Sequence, residues 1–152
     1  MDAVTYPDPK VASFIDQHFI PLRLHHDEKP YAQEFNIHWT PSILILDKTR
    51  SEHHRTMGFL SPDDFIPSLY IGIAKASFDS ENMDRALVYF DNLLTEYPKS
   101  DFVPQGIFLK GVTRFKITHE AKLLREAYEK LSANYPASYW TKRAYPYRLI
   151  ST

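Results

Sequence analysis

The sequence predicts an α/β segment over residues 1–69 followed by an all-helical extension over residues 70–152. Two observations carry this expectation. The run "SILILD", Ser42 to Asp47, is apolar on both faces, as a sheet strand covered from two sides must be, and a more polar hairpin-like segment follows it. The second half echoes itself: "EYPKS" at 96–100 returns as "NYPAS" at 134–138, a period of 38 residues, and each Tyr-Pro closes a stretch of helical periodicity.

Taken in order, Asp8 is placed to cap a first helix, with Pro9 in the first turn and Val11, Phe14, Ile15 and Phe19 on its apolar face. "FIPLRL", Phe19 to Leu24, alternates Ile20, Leu22 and Leu24 on one face and is expected as a strand. The polar loop "HHDEKP" leads to a short helix over Tyr31 to Phe35, and Ile37 leads to Thr40-Pro41 at the mouth of "SILILD". Proline cannot donate to a sheet ladder, so it belongs at a strand start, an edge, a bulge or a tight cis turn. A turn near Lys48 to Arg50 and a second, more polar strand ending at Met57-Gly58 complete the hairpin. Ser61 and Pro62, with Asp64 three residues on, open a helix, and only helices follow.

Composition bounds what the chain can do. It has 152 residues, 43% of them hydrophobic, with ten Phe, ten Tyr and two Trp, so it can bury a real core. Its 18 basic and 19 acidic residues give a net charge of -1 and are scattered, which offers nucleic acid no basic face. No apolar run is long enough to span a bilayer, and "MDAVTYPDPK" lacks the basic and apolar regions of a signal peptide. A soluble chain, cytoplasmic by default and without a membrane partner, is expected. The absence of cysteine removes disulfides, thiolate ligands and any cysteine nucleophile.

Other site types find little support. His25-His26 with Asp27 and Glu28, and His53-His54 with Glu52, supply metal-ligand types, but neighbours on an extended chain point to opposite faces, so no metal site is expected. There is no nucleophile elbow or glycine-rich phosphate loop, and Asp63-Asp64 reads as charge favourable to a helix start. Tyr139, Trp140, Tyr145 and Tyr147 read as packing for the last helix. No cofactor is expected.

In the second half, Ala86, Phe90 and Pro98 keep the same spacing as Leu124, Tyr128 and Pro136. With Ala74 and Phe115 in the preceding helices, this resembles degenerate tetratricopeptide repeats, two helices per unit, ending in a capping segment "SYWTKRAYPYRLI". The period is longer than that family's, Gly111 is one residue off its small position, and Leu124 replaces a small residue. Two such units are too few to stand alone, so packing against the first half is expected.

The first half, through "TYPDPKVASFIDQHFIPLRL", "FNIHWTPSILILD" and "GFLSPDDFIPSL", resembles the thioredoxin fold from its middle onward. The resemblance implies a cis-proline at Thr40-Pro41, three remaining strands, and the loss of the first strand and the Cys-x-x-Cys helix. In that family the lost strand lies between those matching "FIPLRL" and "SILILD", and the backbone before the cis-proline pairs with an extended peptide. Trp39, Thr40 and Pro41 are therefore the candidate partner-binding residues, and no residue is assigned a catalytic role. Two alternatives stay open: a redox-inactive interaction module for a protein or extended peptide, using this face or the concave side of the repeats, or the C-terminal part of a thiol-disulfide oxidoreductase whose cysteines lie upstream of Met1. The two flanking strands either lack their neighbour or pair directly.

Overall fold

In the computed structural model, which describes residues 1–151, the first helix starts where the sequence supplies its cap. The Asp8 carboxylate accepts from the N–H groups of Lys10 and Val11, Pro9 takes the first position, and α1 runs Pro9–His18. A single turn, α2 (Tyr31–Glu34), precedes a two-stranded antiparallel sheet of β1 (Ser42–Leu46) and β2 (Glu52–Met57). Then come α3 (Pro62–Asp79), α4 (Met83–Glu96), α5 (Val103–Thr118), α6 (Lys122–Asn134), α7 (Tyr139–Ala144) and a 3-10 turn, Tyr145–Leu149. The chain is thus mixed α/β and mostly helical, with seven α-helices among the described residues.

The expected third strand does not form. Phe19–Leu24 is irregular, and Ile20 and Leu22 are 98% and 76% exposed. A strand exists only through a partner's hydrogen bonds, and among the described residues no backbone segment supplies them, nor do Phe19–Leu24 and β1 pair directly. Alternation of apolar residues is not enough to make this segment a strand.

α3 is the element around which the rest is arranged. Its length is buried on nearly every side, from Phe65 through Ala74. One side meets the hairpin at Gly72, where a Cβ would run into the Ile45 side chain. Another receives α1, with Phe14 set edge-on to Tyr70 at 5.0 Å between ring centres. The N-terminal turn is fixed beside it: Tyr6 packs edge-on against Phe65, and the Thr5 hydroxyl donates to the Leu60 carbonyl at 2.6 Å. The remaining side takes α4, whose Ala86, Phe90 and Leu93 join Val11, Ile45 and Ile71 in one cluster. Residues of the first half and of the helical half thus share a core, and α3 passes without a break through residues 69 and 70.

The helical half follows its local signals. Asn82 caps α4 through the Arg85 N–H, while Tyr97 and Tyr135, each before a proline, terminate α4 and α6. Short connections fold α4, α5 and α6 back on one another. Gly111 is required by the α5–α6 approach, since a Cβ there would come within 2.6 Å of the Ala127 Cβ. Trp140 and Tyr147 pack on Phe108 in a second cluster at the C-terminal end, whereas Tyr139 and Tyr145 stay exposed. No helix among the described residues is long and apolar enough to cross a membrane.

Phe90, fully buried where the two halves meet, is expected to cost about 3–5 kcal/mol on truncation to Ala. Urea denaturation of Phe90→Ala measures this, and Ile20→Ser, at an exposed position, is expected to change stability by less than about 0.5 kcal/mol.

Candidate functional site

The site residues nominated from sequence sit at the mouth of the hairpin. The Thr40–Pro41 peptide bond is cis, and a second cis bond at Lys29–Pro30 had no sequence signal. Trp39 is 65% exposed and lies outside both packed clusters. The Ser42 hydroxyl donates to the Trp39 carbonyl at 2.6 Å, holding the turn that feeds β1. Met57, paired with Ser42 in register, and Phe59 are also exposed at this end, so the mouth of the hairpin is apolar and open to water.

The ladder parity decides which backbone groups are free. The Gly58 N–H donates to the Pro41 carbonyl at 2.8 Å, which makes Pro41–Gly58 a hydrogen-bonded pair. By alternation, Ile43–Thr56 and Ile45–His54 are bonded pairs, whereas Ser42 and Leu44 turn their N–H and C=O groups away from β2. No strand pairs with β1 on that side, and no backbone hydrogen bond reaches Ser42 or Leu44 there among the described residues. Ile43 and Ile45 point toward α3, and Leu44 lies on the opposite face with Arg55. Arg55 donates to the Phe35 carbonyl at 2.6 Å and binds Glu52, tethering the α2 segment over that face.

A polar cluster that the sequence did not foretell closes the other end of the hairpin. A bulge between Ile45 and Leu46 shifts the register, and the adjacent histidines diverge. His53 bridges Asp79 of α3 at 2.6 Å and Asp47 at the hairpin turn at 3.2 Å. The first contact, with help from the second, raises the His53 pKa above its ordinary value. Asp47 is in turn held well below the usual carboxylate range, chiefly by the Thr49 hydroxyl, with His53 and the Ser51 and Thr49 N–H groups contributing. His54 faces inward, 3.1 Å from the Ser68 hydroxyl, and burial, reinforced by the Lys75 charge, pushes its pKa down to about 4.

His25, His26 and Asp27 lie with their ligand atoms within 4.8 Å of one another, exposed in the loop. The expectation that neighbouring histidines diverge holds for the extended pair His53-His54 and fails here, because the loop turns over these residues. His25 and Asp27 already bind each other, and nothing else in the loop points to a cation.

Comparisons with known proteins return no family model, no curated protein and no solved structure that matches this chain. Both resemblances therefore rest on the residues quoted above.

The two histidines give stability opposite pH dependences. The folded pKa of His53 is raised, so its contribution is complete below about 6.5 and is lost as pH rises through the raised value. The folded pKa of His54 is depressed, so its contribution is complete above about 6.5 and is lost as pH falls toward 4. Denaturation midpoints across pH should show His53→Gln removing loss on the alkaline side and His54→Gln removing loss on the acid side.

Proposed function

We propose that this chain is a redox-inactive, thioredoxin-like and tetratricopeptide-like interaction module that binds an extended peptide along the open edge of β1. The observation that supports this reading most is the unpaired edge itself. Ser42 and Leu44 present two alternating sets of main-chain donors and acceptors in a strand held rigid by α3. An extended segment satisfies such groups by adding a strand, and the exposed Trp39 at the same end offers a large apolar anchor. The edge carries no charged side chain from Ser42 to Leu46, so a neutral partner segment of β-branched residues suits it. Thiol-disulfide exchange is closed to these 152 residues, which contain no cysteine to form a thiolate.

A second reading shares the edge and differs in the occupant. Ile20 and Leu22 are exposed in the irregular segment after α1, and the thioredoxin resemblance implies a strand between that segment and β1. On this reading that strand belongs to the same polypeptide and brings the Cys-x-x-Cys motif of an oxidoreductase. Translating the DNA upstream of Met1 separates the two: an in-frame strand pattern followed by Cys-x-x-Cys supports the second, and a stop codon without it supports the first.

For the interaction reading, a fluorescent Val-Thr octapeptide should raise anisotropy on binding and shift the amide resonances of Ser42 and Leu44. Trp39→Ala should weaken that binding by about tenfold or more, the loss expected of a buried aromatic anchor. Shifts confined to other residues, or affinity indifferent to Trp39, would count against the assignment.

A further inference from the structure

The sheet has a second open edge, and its surroundings differ in kind. A cavity of about 450 Å³ lies between the outer side of β2, Lys75 of α3, and Phe102 and Gln105 at the start of α5. The parity that frees Ser42 and Leu44 on β1 frees Arg55 on β2, whose N–H and C=O point outward with no backbone partner among the described residues. Lys75 is half-buried and pairs with no carboxylate among the described residues. Glu52, the acidic group lining the cavity, is held by Arg55 at 2.6 Å, and the Lys75 charge acts on it only from a distance. Gln105 adds an amide, Phe102 adds a partly buried ring, and the Thr56 hydroxyl beneath them is buried without a partner.

These features select a ligand chemistry. An ammonium with no carboxylate in contact, in a partly desolvated groove, favours a single added negative charge. No free guanidinium fork and no glycine-rich loop is present to hold a phosphate, since Arg55 is spent on Glu52 and on the Phe35 carbonyl. The free main-chain groups of Arg55 call for an extended backbone. The geometry points to a second peptide site, independent of the first: the groove takes an extended segment of a partner protein that pairs with β2 and sets an Asp or Glu carboxylate against Lys75. The two edges of one sheet thus differ in specificity, β1 for neutral segments and β2 for acidic ones.

A fluorescent Val-Glu octapeptide, with Val-Lys and Val-Thr octapeptides as controls, tests this on the full chain. The acidic peptide should bind more tightly than either control at this groove, shifting the amides of Arg55, Lys75 and Gln105 and leaving Ser42 and Leu44 unmoved. Lys75→Gln should weaken it about tenfold, the loss expected for one charged hydrogen bond, and Lys75→Arg should restore it. Circular dichroism checks that the variants keep the wild-type fold. The proposal is overturned by unchanged affinity in Lys75→Gln, by equal binding of the Val-Lys peptide, by shifts at Ser42 and Leu44 instead, or by no binding at millimolar peptide. It is also overturned if sedimentation shows the groove filled by a second copy of the chain.

Discussion

The approach of α3 to the hairpin at Gly72 is the contact on which the rest depends. A two-stranded sheet is marginal in water by itself, and this one is held because α3 lies directly on Ile45 and His54. A Cβ at Gly72 would run into the Ile45 side chain and force it to move. On the same helix, Ser68 meets His54 and Asp79 meets His53, so one stripe of α3 holds the end of β2 nearest the hairpin turn. With α1 and α4 on its remaining sides, α3 transmits the packing of both halves to two short strands.

That arrangement explains how so small a sheet can keep both edges open. Exposed edges invite uncontrolled pairing, and proteins guard them with charge, bulges or cover. Here β2 carries Glu52 and Arg55 and a bulge, α3 lies against it, and the start of α5 faces it across the groove. The β1 edge has little guard beyond the Thr40–Pro41 turn at its mouth, and its Leu44 lies opposite Arg55, which tethers the segment after α2. What distinguishes the two edges is this asymmetry in main-chain groups and charge rather than any reactive side chain.

Much of the fold was legible because it is written locally. Asp8 with Pro9, Pro62, and the two Tyr-Pro steps mark helix ends by capping and by steric exclusion, effects that act within a few residues. Ser61 shows the limit of that logic. The helix starts where expected, but the Ser61 hydroxyl turns to the Asp64 carboxylate, which the Ser100 hydroxyl also binds from the α4–α5 connection. Phe19–Leu24 has the alternation of a strand and no partner, and alternation cannot report a missing neighbour. The Asp47–His53–Asp79 bridge depends on a bulge, and the Lys75 groove on the start of α5 facing β2 across a gap, so neither had a signal at fixed spacing. Trp39, Thr40 and Pro41 were readable as a turn, whereas the free groups at Ser42 and Leu44 emerged only from the register.

Amide hydrogen exchange on the free chain probes the open β1 edge most directly. The account predicts that Ile43 and Ile45, bonded to β2 and backed by α3, exchange slowly, while Ser42 and Leu44 between them exchange rapidly. Equal protection at all four positions would mean that another segment already covers the edge, and the account of β1 as a docking strand would fail.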